Sequence, residues 1–311
     1  MHIMHRHTIL AASSVVLLGS TLAAQGRLGV DFTPKLIPIV ENIYAYEGPL
    51  ALPGEEEIVR TNSLVVVTDE GVVVVDGQDN LEEAERLVAA IAEVTSQPIR
   101  YLVNASPHGD HVNGNGAFEG ATIIAQERAR EAMIEAARRS GGDPPPLPTV
   151  LYADKMTLRV GGKTLELNYY GPAHTPGDTV VYIPEDRVAF LSEVYFNGMF
   201  TSLGDGFAES HVEVLDAVRE LDAEWFIPGH GFIDGKSAEE LRSGLDDYAA
   251  NVTAVLDIVR AHVAAGDSLE DTLAQIDGEL GAYAELPFYG FLKQRTVEAT
   301  YNALSETDSS N

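Results

Sequence analysis

The chain of 311 residues contains no cysteine, so no disulfide can brace its fold and any metal site must use nitrogen and oxygen ligands. Positive charge is also scarce. The 20 Lys and Arg stand against 48 Asp and Glu, a formal net charge of −28, and only five of those cations are lysine. Nucleic acid is not expected as a partner, because a phosphate backbone would be repelled by so acidic a surface. The acidity reads as a solubility or salt adaptation rather than a binding face. Long apolar runs are missing too: the run at residues 9–18 spans about 10 residues, broken by Ser13 and Ser14, where a bilayer-spanning helix needs roughly 20. Membrane insertion is therefore not expected.

What is present is a 45% apolar chain, long enough to bury a real core. Its first 24 residues differ from the rest, with Arg6 among histidines, then the short apolar run, then Thr21-Leu22-Ala23-Ala24. Charge, apolar stretch and small residues in that order predict a signal peptide over 1–24 and a soluble product that is periplasmic or secreted.

Residues 35–77 are strand-like, with two β-branched runs turning on Asp69-Glu70-Gly71 and ending in an acidic loop. Leu87, Val88, Ile91 and Val94 then fall at helical spacing, and 99–106 returns to a strand. A further strand at 121–126 leads to a helix that ends at Gly141-Gly142-Asp143-Pro144-Pro145-Pro146. Two hairpin-like pairs fill 155–196, turning at Gly161-Gly162 and Pro184-Glu185-Asp186. A short helix near 210–221 precedes the strand Glu224-Trp225-Phe226-Ile227. Ser237 and Glu240 form a capping box ahead of an amphipathic stripe running from Leu241 to Val263, and Ser268 with Asp271 opens another helix. Phe291, Val297, Tyr301 and Leu304 suggest a last helix, and all these stripes read as core faces. The expected division is an αβ domain at 25–235 and a C-terminal helical extension at 236–311.

Nine histidines are present, three of them in the expected leader. Of the other six, four directly follow predicted strands: His108 and His111 in the segment 104–115, His174 in 171–178 and His230 in 227–231. Imidazoles on glycine-flanked loops, one pair flanking Asp110, are the nitrogen and oxygen ligands expected of a catalytic zinc. His211 and His262, at a helix start and on a helix face, read as ordinary structural residues.

The order of these segments resembles the metallo-β-lactamase superfamily, from the paired β-branched runs at 62–77 through Ile227-Pro228-Gly229-His230-Gly231. The resemblance implies an α/β fold, a four-layer αβ/βα sandwich, here with a C-terminal helical extension. It also implies a metal-dependent hydrolase acting on a small molecule. In that family the main motif reads His-x-His-x-Asp-His; here it is Ser106-Pro107-His108-Gly109-Asp110-His111, with serine in the first ligand position. The family's later histidines match His174 and His230, and its metal-bridging aspartate falls at Glu193. By resemblance one metal would use positions 106, 108 and 174, the other Asp110, His111 and His230, with Glu193 between them. The expectation is one or two zinc ions, the first site weakened by Ser106, and Asp110 both ligating and orienting the attacking water.

The functional expectation is cleavage of an ester, thioester, lactone or amide bond, a β-lactam included, by a metal-activated hydroxide. The loops 45–59, 140–149 and 197–208 would shape the pocket, with Tyr195, Phe196, Met199 and Phe200 favouring an apolar group. No basic residue stands among residues 194–197 to receive a drug carboxylate, so a distant one would have to fold in. The alternative is a non-catalytic metal- or ligand-binding protein with a degenerate site, motivated by Ser106 and Glu193. Nothing in the sequence bears on oligomeric state.

Overall fold

A computed structural model describes residues 35–51 and 58–308; the expected signal peptide at 1–24 and residues 52–57 of the expected pocket loop lie outside them. The chain begins with four antiparallel strands, β1 (Lys35–Val40), β2 (Ile43–Ala51), β3 (Ile58–Thr68) and β4 (Gly71–Val75). Every residue of β4 is buried, as expected for an unbroken valine run covered on both faces. Helix α1 (Leu81–Val94) follows, capped by the Asn80 side chain, which accepts from the Glu83 N–H, and it turns Ala84, Leu87 and Ile91 inward. Its crossover makes β5 (Ile99–Asn104) parallel to β4. The short α2 (Gly109–Val112), β6 (Thr122–Gln126), α3 (Glu127–Ser140) and β7 (Val150–Tyr152) complete this half, with β6 parallel to both β5 and β7.

The second half runs antiparallel through β8 (Lys155–Val160), β9 (Lys163–Asn168), β10 (Val180–Ile183) and β11 (Val188–Phe196). Helix α4 (Ala208–Arg219) then carries the chain to β12 (Trp225–His230), parallel to β11. After β12 come α5 (Ala238–Ala265), α6 (Leu269–Glu279) and α7 (Tyr289–Asp308). The expected capping box at the start of α5 is present, and Gly266 closes that helix in the left-handed region at φ 78°.

Three cores separate four layers. Helix α1 packs Ala84, Leu87 and Ile91 against Val72, Val74 and Leu102 on the outer face of the first half. Between the halves, Val73, Val75 and Val103 meet Leu165, Val181, Phe190 and Ile227. On the far side, Leu191, Val194 and Phe226 pack against Leu245, Val252 and Val259 of α5 and Val297 of α7. The C-terminal helices thus share their core with β11 and β12. The two halves join edge to edge where Thr61 of β3 pairs with His230 of β12, and Asn62 Nδ2 reinforces the seam by donating to the Pro228 and Gly231 carbonyls, 3.0 Å each. The six residues singled out in the sequence lie around this seam, where open sheets place ligands beyond the carboxyl ends of their strands. No helix among the described residues is long and apolar enough to cross a membrane.

Candidate metal centre

Each side chain reaches the seam from a different element. Strand β5 ends just before Ser106 and His108, and α2 lifts Asp110 and His111 within one turn. His174 comes from the loop joining β9 and β10, and His230 is the last residue of β12. Glu193 projects from within β11 rather than from a loop. Ser192 beside it holds φ 46° at an irregularity in the β11–β12 pairing, which re-aims the strand. Gly229 makes that possible, since a Cβ there would run into the Ser192 backbone, and Gly231 turns the chain away at φ 94°.

All six side chains converge. Glu193 Oε1 lies 3.1 Å from His108 Nδ1, 3.3 Å from His174 Nε2, 3.4 Å from His230 Nε2 and 3.8 Å from His111 Nε2. Asp110 Oδ2 is 3.3 Å from His111 Nε2 and 3.4 Å from His230 Nε2. Two donor sets result, one of Asp110, His111, Glu193 and His230, the other of His108, His174 and Glu193, each compact enough to hold an ion. Glu193 belongs to both. Ser106 stands apart: its hydroxyl donates to Glu193 Oε2 and accepts the His108 N–H at 3.1 Å, so it braces the carboxylate.

In three of the four rings the remaining nitrogen is spoken for. His111 Nδ1 donates to Asp76 Oδ2 at 2.9 Å, His230 Nδ1 to the Arg60 carbonyl at 2.9 Å, and His174 Nδ1 to the Ser202 carbonyl at 2.7 Å. With Nδ1 as the donor, each neutral ring turns the Nε2 lone pair inward. Two such nitrogens, His111 Nε2 and His230 Nε2, face each other at 3.3 Å, which is repulsive unless positive charge lies with them. Protons respond to the same demand. Burial alone would push His108 and His111 down, but Glu193, with Asp110 and Asp205, raises His108 to about 9, and Asp110, Asp76 and Glu193 raise His111 to about 10. His174 is raised against its own burial chiefly by Glu193. Burial works to raise Glu193, yet His108, His174 and His111 hold it well below the usual carboxylate range. This donor set fits a divalent cation: it is rich in lone pairs, largely buried and short of positive charge.

Sequence reasoning missed several supports. Asp76 is fully buried and accepts from His111, from Ser192 Oγ at 2.6 Å and from the Ala105 N–H at 2.7 Å. Its signal was an acid closing a valine strand, which reads equally as a turn. Asp178 accepts from both the N–H and the hydroxyl of Thr175 at 2.6 Å, fixing the loop after His174, and burial pushes its carboxyl up to about 6. His211 and His262 take no part. His211 bonds the Val194 carbonyl at 3.0 Å and is pushed down to about 4 by burial, while His262 joins Asp267 and Glu279.

A cavity of about 270 Å³ opens over the donors. Phe196, Met199, Ser202, Gly204 and Asp205 line it from β11 and the following loop, and Phe291, Leu292 and Arg295 from α7. Residues 140–149 are not among its lining. Of the expected aromatic wall, Phe196 sits between His174 and His230 with ring centres 5.1 and 4.8 Å away, while Tyr195 and Phe200 turn into the core against Tyr248 and Tyr289. Phe291 departs from the expected core stripe; at 45% exposed it faces the cavity, because Val297 rather than Phe291 marks the side of α7 packed on α5.

Known proteins resemble this chain in sequence and in fold. The family model for the metallo-beta-lactamase superfamily matches residues 58–230. The alpha subunit of 2,4-dinitroanisole O-demethylase from Nocardioides sp. (strain JS1661) is 25% identical over 205 residues, which are 65% of this chain and 61% of that subunit. A metallo-beta-lactamase type 2 from Bacteroides fragilis is 23% identical over 217 residues, 68% of this chain and 85% of the relative. The solved structure of the inverting sec-alkylsulfatase Pisa1 from Pseudomonas sp. superposes with a TM-score of 0.69 at 16% identity, covering 86% of this chain and 50% of that one. With the family match running from the start of β3 to His230, over more than half of its length, this protein belongs to the metallo-β-lactamase superfamily and is a metal-dependent hydrolase of that fold.

Proposed function

We propose that this protein is an exported zinc hydrolase that cleaves an ester, thioester, lactone or amide bond, β-lactams included, in a small molecule. One observation carries the reading: braced imidazole lone pairs and two carboxylates aim at a common point beneath an apolar cavity. Asp110, His111, His230 and Glu193 would hold the firmer ion, and His108, His174 and Glu193 a weaker one, since Ser106 offers only a hydroxyl already given to Glu193. A bound divalent cation supplies Lewis acidity, lowering the pKa of water towards 7 and polarising a carbonyl. Zinc suits a set made only of imidazole and carboxylate, and export follows from the reading of residues 1–24.

Around that ion the chain's own groups have defined work. Asp110, 18% exposed and held at Oδ2 by the Thr61 hydroxyl at 3.3 Å, is the carboxylate placed to orient an attacking water and hold its proton. Asp76 fixes the His111 tautomer, and the Ser202 carbonyl fixes that of His174. Phe196, Met199 and Leu292 exclude water from the reacting bond. The test is a panel of chromogenic esters, thioesters, lactones and β-lactams, run on chelator-stripped and zinc-restored protein. Zinc-dependent turnover of any class supports the proposal. Zinc binding without turnover favours a binding protein with a degenerate site.

A further inference from the structure

The sequence offers no cation near the end of β11 to receive an anionic substrate, but the fold brings one from nearly a hundred residues away. Among the described residues, Arg295 of α7 is the only Lys or Arg lining the cavity over the metal donors. Its guanidinium packs so closely on Gly204 that a Cβ there would collide with it, which presses the side chain against the loop carrying Ser202 and Asp205. Among the described residues no carboxylate lies within 4.0 Å of it and no hydrogen bond uses its donors. The acid at the same rim, Asp205, leans instead towards His108 Nε2 at 4.0 Å. In a chain of net charge −28, such an arginine sits at the mouth of the acidic reaction chamber with its fork of donors unused.

Burial orders the cavity from floor to rim. Glu193, His174 and His230 are buried at the floor, Phe196 and Met199 are buried above them, Leu292 is half-buried, and Phe291 and Arg295 are exposed. We propose that Arg295 is the specificity-determining residue for substrates that join an apolar body to an anionic group such as a carboxylate or sulfonate. The apolar part lies against Phe196, Met199, Leu292 and Phe291, and the anion takes the guanidinium at the mouth. The assignment rests on the hydrolase reading only for what is cleaved; recognition of the anion is a separate property of the rim. It also gives the C-terminal helices a task beyond closing the core, since α7 delivers the charge that β11 lacks.

Calorimetric titration of zinc-loaded protein with hexane-1-sulfonate and with hexan-1-ol tests this. The sulfonate is a weak metal ligand, and the alcohol carries the same alkyl chain without the charge. Arg295→Ala should weaken sulfonate binding by about ten-fold and leave the alcohol unchanged, while Arg295→Lys keeps the charge, loses the fork and falls between. Added salt should erode the sulfonate preference of the wild type. The proposal is overturned if wild-type protein does not bind the sulfonate. It is equally overturned if Arg295→Ala binds it within about two-fold of wild type, or if both ligands weaken together. Binding is read without turnover, so a hydrolase inactive on every substrate of the panel would leave this result standing. Active enzyme with no sulfonate preference would remove only the role of Arg295.

Discussion

Adding zinc to the chelator-stripped protein should expel protons, and the number follows from the site. Glu193, Asp110 and Asp205 raise His108 to about 9, and Asp110, Asp76 and Glu193 raise His111 to about 10, both against the effect of burial. Near pH 7.5 a group titrating at about 9 is about 97% protonated, and one at about 10 almost fully so; ordinary imidazoles at about 6.5 would be about 9% protonated. Ligation requires neutral imidazole, so loading both ions should release about two protons from these residues, against about 0.2 for unshifted histidines. His174, also raised by Glu193, adds to the count, while Glu193 is already ionised and adds none. The assay is calorimetric titration in buffers of different ionisation enthalpy. Each ion should also bind about ten-fold more tightly per pH unit between about pH 6 and 8. A release near zero, or affinities flat with pH, would refute the electrostatic account of the site.

Asp110→Asn should lower kcat by about a hundred- to ten-thousand-fold on the best chromogenic substrate, and near-normal turnover would count against its role. Ser106→Ala removes the hydroxyl that braces both the shared Glu193 carboxylate and the His108 N–H, and should loosen the weaker ion by about ten-fold and the firmer one less, whereas Asp76→Asn should loosen the firmer one by about ten- to a hundred-fold; chelator competition reads both, and equal effects on both ions would contradict the assignment. Because the folded state raises His111, its contribution to the stability of metal-free protein is complete below about pH 6.5 and is lost as pH rises through about 10. Stripped protein should therefore melt progressively lower towards pH 10.5, more steeply than the zinc-loaded form, and coincident profiles would argue against it.

Much of this site was legible because its chemistry is carried on short strings that end strands. The segment 106–111, His174 and His230 each follow a β-branched run, and a strand end is where an α/β sheet presents side chains. The capped helices after residue 236 were equally plain, since Ser237 with Glu240 and Gly266 mark their ends locally. What stayed hidden depends on partners distant in the chain. That β3 and β12 meet at Thr61 and His230 is a tertiary outcome no periodicity encodes. Asp76 looks like a turn acid until His111 stands beside it. Ser106 looks like a lost ligand until Glu193 is seen to take its hydrogen. Phe291 and Arg295 sit on an otherwise ordinary helix, and only its docking against the loop after β11 turns them towards the cavity.

The most direct test is anomalous diffraction at the zinc edge from crystals of the chelator-free protein grown with zinc. The expected result is a strong peak bound by His111 Nε2, His230 Nε2 and Asp110, with a weaker one between His108 and His174. Zinc found only at surface carboxylates, with no density at the seam between β3 and β12, would contradict the account.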